Sequence, residues 1–239
     1  MDLFAAALLE LFDTGETALF VERDDGFTDR DDLSWYLLSY RDFPLYEKRA
    51  LKFARARVLD LGCAAGRHAL YLQKRGLQVV AADASPALIE LAKTRGARDA
   101  RVLNACARLP FGAGEFQTVL LLGNNLGLCG TVPRFRRMLR ELYRITSPDA
   151  QILATTRMLD LRDATDRAYA ERNIGLSRAP HQVRMRLHWQ GIAGKWFDFL
   201  LCAPTEVMQI AAREKWRVRE LFCEDDFARG YAVVLEKMK

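Results

Sequence analysis

The sequence has no closely spaced cysteines and no long apolar run. Its five cysteines lie far apart and form no CxxC pair, which argues against a zinc site or a disulfide framework and favours buried, reduced thiols. No apolar stretch approaches the ~20 residues needed to cross a membrane. The amino-terminal MDLFAAALLELFDTGE carries acids where a secretory signal has a basic segment. These absences predict a cytoplasmic protein without a metal site.

Repeats, low-complexity linkers and blocks of like charge are also missing, which argues against a disordered chain. Half of the 239 residues are hydrophobic, which is enough for one well-buried core. The net charge of +5 permits an anionic partner, but most of the arginines are scattered, as on a solvated surface. We expect one domain with additional elements, of undetermined oligomeric state.

From Arg57 onward the sequence alternates between apolar strands and amphipathic helices. Five strands are predicted, at RVLDL, LQVVAAD, ARVLNA, FQTVLLLG and AQILATT, which indicates a parallel sheet covered by helices on both faces. Farther on, VRMRLHWQ and KWFDFLL are predicted to form an antiparallel hairpin, and WRVRELFC and YAVVLEK the final strands. The predicted fold class is α/β: a doubly wound, mostly parallel sheet, with antiparallel C-terminal strands that extend it and with N-terminal helices.

The segment before this sheet is predicted to be largely helical. Residues 2–11 have an amphipathic pattern, and residues 33–54 carry apolar and aromatic side chains at helical spacing, interrupted by Pro44. Residues 14–32 lie between them. They are rich in acids and glycine and are predicted to form a loop.

The stretch VLDLGCAAGRHALYL, from Val58 to Leu72, predicts a buried strand, a tight glycine turn and a helix. In a doubly wound sheet, ligands bind at the carboxyl ends of the strands, and glycines let a ligand contact the backbone. Asp83 ends the next strand, twenty-one positions after Gly62, where a carboxylate can accept hydrogen bonds from both hydroxyls of a ribose. The pattern indicates a ligand that contains adenosine.

The turn itself decides between a dinucleotide and S-adenosylmethionine. A pyrophosphate requires GxGxxG at the helix N-terminus, and here the turn is GCAAG followed by Arg67 and His68. Asp60 would place a negative charge near the turn, which is unfavourable for a pyrophosphate but suits the ammonium of an amino-acid moiety. The turn therefore favours S-adenosylmethionine.

At these motifs the sequence resembles the class I S-adenosylmethionine-dependent methyltransferases, which have a Rossmann-like methyltransferase fold. The resemblance covers residues 57–156 and rests on VLDLGCAAG, VVAADASPALIELA, ARLPFGAGEFQTVLLLG and LRELYRITSPDAQILATT. It implies that the turn cradles the methionine portion and that Asp83 binds the ribose. It places Ala105 and Cys106 beside adenine, and residues 123–125 next to the sulfonium and the acceptor. The cofactor-binding residues expected on this basis are Asp60, Gly62, Cys63, Ala64, Gly66, Asp83, Ala84, Ala105, Cys106, Gly123 and Asn124.

Two positions depart from the family's pattern. Ala64 stands where many such turns have glycine, and we expect its methyl group to be tolerated because a φ below zero suits alanine. Ala105 stands where similar enzymes often have an acid that accepts a hydrogen bond from the adenine amine. The backbone N–H of Cys106, or the side chain of Asn104, is expected to contact adenine instead.

The resemblance also implies that residues 1–52 form a helical lid and residues 53–239 the S-adenosylmethionine-binding domain with its C-terminal hairpin. Because a sulfonium is already electrophilic, such an enzyme mainly aligns a nucleophile and excludes water, and a hydroxyl acceptor needs a base as well. Candidate catalytic side chains come from the lid, the segment after the fourth strand and the hairpin. They are Tyr36, Tyr40, Asn125 and His188.

The predicted function is methyl transfer to a small-molecule acceptor by in-line attack on the sulfonium methyl. One alternative is an enzyme that consumes S-adenosylmethionine without methyl transfer, such as an intramolecular cyclase that releases methylthioadenosine. Another is an RNA methyltransferase, supported by the arginines of VPRFRRMLRELYRI. No [ND]PP[FY] motif follows the fourth strand, which argues against amino-methylation of nucleic-acid bases. The acceptor atom is left open.

Overall fold

The computed structural model describes residues 1–238 of the chain. The helices are α1 (Leu3–Thr14), α2 (Leu45–Leu51), α3 (Arg67–Lys74), α4 (Pro86–Thr94), α5 (Val132–Ile145), α6 (Ala164–Gly175) and α7 (Pro204–Arg213). The strands are β1 (Leu19–Arg23), β2 (Thr28–Asp31), β3 (Arg57–Leu61), β4 (Gln78–Asp83), β5 (Asp99–Val102), β6 (Phe116–Leu121), β7 (Thr146–Thr156), β8 (Gln182–Trp189), β9 (Ile192–Ala193), β10 (Phe197–Leu200), β11 (Trp216–Cys223) and β12 (Tyr231–Lys237). None of the helices in the described part of the chain is long and apolar enough to span a membrane.

Seven strands form the main sheet, in the order β11-β12-β7-β6-β3-β4-β5. Strands β3 to β7 pair in parallel, and β12 is antiparallel to both of its neighbours. Helix α3 connects β3 to β4, and α4 connects β4 to β5, so the parallel strands are linked by crossovers. The predicted fold class is confirmed, with β11 and β12 as the extension of the sheet at its C-terminal end.

Both faces of the main sheet are buried, because its central strands are apolar on both sides. Leu59 and Leu61 of β3 point to the face that packs against Phe135 of α5. Val58 points to the opposite face, where it packs with Leu72 of α3. This two-sided burial explains why the strands appear in the sequence as nearly continuous apolar runs.

Five strands form a second, antiparallel sheet, which we call the roof sheet. Its order is β10-β8-β1-β2, with the short strand β9 paired to β8. The loop predicted for residues 14–32 is wrong, because this segment contains the two paired strands β1 and β2, with Gly26 in the turn between them. The predicted pairing of β8 with β10 is confirmed, but the pair belongs to the roof sheet and does not extend the main sheet.

The N-terminal residues do not form a separate helical unit. Helices α1 and α2 are present, but residues 33–37 and 40–42 are single 3₁₀ turns, and β1 and β2 share the roof sheet with C-terminal strands. The helical spacing of residues 33–54 is interrupted because new turns begin after Ser39 and Pro44. A boundary at residue 52 therefore divides the strands of one sheet.

The roof sheet lies over the carboxyl edge of the parallel strands and is attached there on two sides. On one side, Leu19 of β1 packs, together with α1, against Ala64 and Leu88. On the other side, β10 passes close to the loop that follows β6. A Cβ atom added at Gly127 would lie 1.8 Å from the Leu200 carbonyl oxygen. The edge at which doubly wound folds bind ligands thus faces the inner side of the roof sheet.

Two cysteines differ from the expectation of reduced thiols. Cys106, in the loop after β5, and Cys129, in the loop after β6, form a disulfide, with their Cα atoms 5.6 Å apart. Parallel strands bring both loops to the same edge of the sheet, which a spacing of 23 residues in the sequence does not reveal. Cys63 and Cys202 are buried free thiols, as predicted, and Cys223 is a half-buried one.

Two neighbouring substitutions test the orientation of the roof sheet. Leu19 is fully buried, whereas Phe20, on the other side of β1, is 41% exposed. We expect Leu19→Ala to lower the free energy of unfolding by about 2–5 kcal/mol and Phe20→Ala by about 1 kcal/mol or less. Urea denaturation measures both. Equal losses would contradict the assignment of Leu19 to the inner side.

Candidate active site

The turn between β3 and α3 is closed by backbone hydrogen bonds. The N–H groups of Gly62 and Cys63 both donate to the Ala82 carbonyl, at 2.7 and 3.0 Å. Gly66 N–H donates to the Cys63 carbonyl at 2.7 Å and precedes the first residue of α3. Gly62 and Gly66 have φ angles of +75° and +77°, which favour glycine. The conformation of the turn itself therefore requires both predicted glycines.

The side-chain amide of Asn125 holds this turn in place. Its Nδ2 donates to the carbonyls of Leu61 and Gly62, at 3.1 and 2.8 Å. A Cβ atom at Gly62 would lie 2.4 Å from that nitrogen, so the space beside the glycine belongs to Asn125 and not to a ligand. Asn125 was predicted to be catalytic; the structure gives its amide nitrogen a positioning role.

Ala64 differs from its expected conformation. Its φ is +46°, in the left-handed region, and not below zero. Ala64 is the first central residue of the tight turn that Gly66 N–H closes on the Cys63 carbonyl, a position that has a positive φ in primed β-turns. Its own N–H donates to a carboxylate oxygen of Asp83 at 3.0 Å. An alanine in the left-handed region costs about 1–2 kcal/mol, so the residue is a strained variant of the turn.

Asp83 lies at the end of β4 and contacts the turn directly. One carboxylate oxygen accepts from Ala64 N–H, and the other accepts from Ser85 N–H at 3.0 Å. Burial raises the pKa of this carboxyl group above its usual value, although the two backbone donors oppose the effect. Ala84, the next residue, is exposed at the sheet edge. The structure therefore brings Asp83 and the glycine turn together, as predicted.

The loop predicted to lie beside adenine is arranged differently from the expectation. Ala105 is buried in the main core and packs in the same cluster as Leu59. The Cys106 N–H donates to the side-chain oxygen of Asn104 at 2.8 Å, so this donor is already engaged. Asn104 itself is exposed after β5. The disulfide from Cys106 to Cys129 adds a covalent link to this loop.

Gly123 and Asn124 follow β6 on the other side of the turn. Both have left-handed backbone conformations, with φ of +73° and +67°. The Asn124 N–H donates to the Thr155 hydroxyl at 3.0 Å, which ties this segment to β7, and the residue is otherwise exposed. These residues lie at the same edge as the turn, because Asn125 connects the two segments.

Asp60 is buried behind the turn, with only 1% of its surface exposed. Burial raises its pKa to about 6, against the opposing effect of His68 and Arg67. In the part of the chain that the structure describes, its Oδ2 atom has no hydrogen-bond partner. An unpaired buried carboxylate oxygen next to a ligand site is well suited to an ammonium group.

The two candidate tyrosines have different surroundings. Tyr36 packs edge-to-face on Phe4, with ring centroids 4.9 Å apart, in the cluster that contains Ala64. Burial raises the pKa of Tyr36. Tyr40 instead stacks on Tyr71, with ring centroids 3.9 Å apart. Tyr36 therefore lies on the side of the turn, whereas Tyr40 packs on the outside of α3.

His188 is not brought to the turn by any contact in the described structure. It lies on β8 opposite Phe20, on the outer side of the roof sheet, and its Nε2 pairs with Glu22. Alternation along the strand explains this position, because the neighbouring Leu187 faces the inner cluster instead.

Arg67 and Glu47 are residues that sequence reasoning did not select for the site. Arg67 begins α3 and is 7% exposed, and its Nη2 donates to Glu47 Oε1 at 2.9 Å. Glu47, on α2, is 2% exposed and also contacts His68. The available signal was the position of Arg67 directly after the turn. Its buried partner lies twenty residues earlier, in a segment predicted only as a lid.

Comparison with known proteins agrees with this geometry. A sequence profile described as "Methyltransferase domain" matches residues 58–149. Malonyl-[acyl-carrier protein] O-methyltransferase from Salmonella typhimurium is 30% identical over 69% of this chain and 68% of that enzyme. An enzyme of the same name from Serratia marcescens is 26% identical over 54% of this chain and 50% of its own length. The crystal structure of a SAM-dependent methyltransferase from Bacteroides fragilis, in complex with S-adenosyl-L-homocysteine, has a TM-score of 0.83 and 26% identity. The matched region covers 100% of this chain and 95% of the Bacteroides chain.

These comparisons and the fold lead to one family. The profile covers the glycine turn, Asp83 and the strands on both sides of them. The Salmonella enzyme extends the similarity to two thirds of the chain, and the Bacteroides structure to all of it. The chain therefore belongs to the S-adenosylmethionine-dependent methyltransferases and uses S-adenosylmethionine as its cofactor.

Proposed function

We propose that this enzyme transfers the methyl group of S-adenosylmethionine to a small molecule bound between the glycine turn and the roof sheet. The observation that carries the proposal is the position of the roof sheet over the ligand-binding edge. An acceptor that enters there has to be small, or has to be the end of a larger molecule inserted between the two sheets. The same cover keeps water away from the sulfonium.

The residues around the turn fit this cofactor. An ionised carboxylate offers about four lone-pair sites, and Asp83 uses two of its sites for backbone N–H groups. We assign the remaining sites to the two ribose hydroxyls. The unpaired oxygen of Asp60 supports an assignment to the ammonium of the methionine portion. Gly123 and Asn124 are assigned to the sulfonium end because they lie across the turn from Asp83.

The chemistry asks little of the protein beyond positioning. Bound S-adenosylmethionine supplies an electrophilic methyl group, and the chain's own residues hold the reactants and exclude water. The phenol of Tyr36 is protonated at neutral pH, since burial raises its pKa further above the ordinary tyrosine value of about 10. We therefore propose that Tyr36 donates a hydrogen bond to the acceptor rather than removing its proton. The Salmonella and Serratia relatives are O-methyltransferases, so acceptors with an oxygen nucleophile are the first to test.

Four of the five arginines of α5, all except Arg134, make contacts within the described part of the protein and so give little support to an RNA substrate. Arg136 and Arg140 both pair with the buried carboxylate of Glu214. Arg144 pairs with Glu141, and Arg137 donates to a backbone carbonyl. Guanidinium groups engaged within the protein contribute less to a phosphate-binding surface. This observation favours the small-molecule proposal.

Labelled cofactor tests the proposed reaction. The enzyme is incubated with S-adenosylmethionine that carries a deuterated methyl group, together with a metabolite extract, and mass spectrometry follows both products. We expect S-adenosylhomocysteine to form along with a labelled small molecule. Release of methylthioadenosine without a labelled acceptor would indicate a cyclase instead. Label found only in added RNA would also contradict the proposal.

Removal of the Asp83 carboxylate tests the ribose assignment. We expect Asp83→Ala to weaken S-adenosylhomocysteine binding at least tenfold, about 1.4 kcal/mol, because two ribose hydroxyls lose their acceptor. Asp99→Ala, at the half-buried start of the adjacent strand, where the carboxylate pairs with Arg101, is the control. Since burial raises the pKa of Asp83, wild-type affinity should fall on acidification at a pH above the ordinary aspartate value of about 3.9. Unchanged affinity in calorimetry would remove Asp83 from the site.

Three substitutions, two in the glycine turn and one at the C-terminal end of α3, separate the steric effect of an added side chain from the effect of a left-handed backbone. Gly62 and Gly76 both have positive φ, but only at Gly62 does an added Cβ meet another group. Gly62→Ala should therefore weaken S-adenosylhomocysteine binding at least tenfold, whereas Gly76→Ala should only lower the melting temperature. Ala64→Gly should raise the free energy of unfolding by up to about 1 kcal/mol, since it relieves a left-handed alanine. A lower melting temperature for Ala64→Gly would contradict the conclusion that the backbone of Ala64 is strained.

A further inference from the structure

Four charged or titratable side chains are buried together behind the glycine turn. Asp60, Arg67, His68 and Glu47 come from β3, α3 and α2, and each is less than one tenth exposed. Glu47 contacts both His68 and Arg67 through its two carboxylate oxygens. Burial of so many charges is costly unless each one finds a partner. The atoms of this cluster that have no hydrogen-bond partner among the described residues, Asp60 Oδ2 and Arg67 Nη1, therefore indicate which ligand groups could pair with it.

The guanidinium of Arg67 is only partly satisfied by the protein. Its Nη2 donates to Glu47, and its planar group lies 4.8 Å from the ring centre of Phe43. Within residues 1–238, its Nη1 has no hydrogen-bond partner although it is buried. A buried charged donor without an acceptor is more costly than a neutral one, and native proteins rarely leave it so. A hydrogen-bond acceptor on a ligand would satisfy the unpaired Nη1 atom of Arg67.

Arg95 shows how an arginine near this turn looks when the protein satisfies it. Its Nη1 donates to the Ala65 carbonyl at 2.7 Å, and its Nη2 donates to the Leu37 carbonyl at 3.0 Å. Both nitrogens are therefore used to join the roof side of the molecule to the turn. By comparison, the Nη1 atom of Arg67 has no acceptor within the described residues.

The position of Arg67 places its guanidinium at the methyl-transfer end of the site. A Cβ atom at Gly123 would lie 4.0 Å from Nη2, so the guanidinium is next to the segment that follows β6. Asp83 and the proposed ribose site lie on the other side of the turn, at the end of β4.

We infer that Arg67 binds a carboxylate at the methyl-transfer end of the site, carried either by the methionine portion of the cofactor or by the acceptor. The inference rests on the proposed function and narrows its ligand chemistry. A guanidinium matches the two oxygens of a carboxylate, and Glu47 fixes its orientation through the other nitrogen. Asp60, with its unpaired oxygen in the same cluster, is complementary to a neighbouring ammonium.

Two variants and two probes distinguish the sources of the carboxylate. Arg67→Lys and Arg67→Gln are compared with Arg75→Lys, at the far end of the same helix, where Arg75 donates to a backbone carbonyl. Calorimetry measures S-adenosylhomocysteine and 5′-methylthioadenosine, which has no carboxylate. If the cofactor supplies the carboxylate, the Arg67 variants should bind S-adenosylhomocysteine at least tenfold more weakly and methylthioadenosine as the wild type does.

If the acceptor supplies the carboxylate, the Arg67 variants should keep full affinity for S-adenosylhomocysteine. Malonate should then raise the melting temperature of the S-adenosylhomocysteine complex in the wild type and in Arg75→Lys, but not in the Arg67 variants. The uncharged malonamide should have no effect. Unchanged affinity for S-adenosylhomocysteine, together with an equal or absent response to malonate, would overturn the inference.

Crystal structures of the wild-type protein with S-adenosylhomocysteine alone, and with S-adenosylhomocysteine and malonate together, give a readout that does not depend on the variants folding. A carboxylate oxygen must lie within hydrogen-bond distance of the Arg67 guanidinium, and an ordered water in its place would overturn the inference. If the proposed methyl transfer is wrong, a different result is expected. The wild type would then bind these probes but form no labelled methyl product in the extract assay.

Discussion

The amide of Asn125 locks the glycine turn, and the geometry of the whole site depends on that contact. Its two hydrogen bonds satisfy the carbonyls of Leu61, the last residue of β3, and of Gly62, the first residue of the turn before α3. The same turn directs the Ala64 N–H to the carboxylate of Asp83. The ends of β3, β4 and β6 are thereby held as one rigid unit, on which a bound cofactor has few ways to shift.

The roof sheet gives this enzyme a cover built from both ends of the chain. Strand β1, near the N-terminus, lies between β2 and β8, and β8 comes more than 150 residues later. Because the cover is a hydrogen-bonded sheet whose inner side packs against the turn, it cannot move away as a single loop does. Access to the site therefore depends on how firmly this sheet is docked, and the hydrophobic cluster that contains Leu19 and Ala64 is part of that docking.

The buried charges connect the fold to the chemistry. Asp60 and Arg67 each keep an unpaired polar atom, and both lie within the same small cluster. An amino-acid ligand carries one ammonium, which is complementary to Asp60, and one carboxylate, which is complementary to Arg67. The protein bears the cost of unsatisfied charges in its free form because a ligand can satisfy them in the complex, a pattern typical of binding sites.

The sequence by itself determined the elements whose causes are local. Apolar strands at RVLDL and FQTVLLLG, the glycines at 62 and 66, and the acid at 83 follow from spacing alone, and they carried the fold class and the family. Tertiary structure decided the rest. The pairing of β1 with β8, the disulfide of Cys106 and the partner of Arg67 all join segments that no short-range pattern relates. The positive φ of Ala64 was also missed, because it belongs to the folded turn, and a strained local conformation persists where surrounding contacts outweigh its cost.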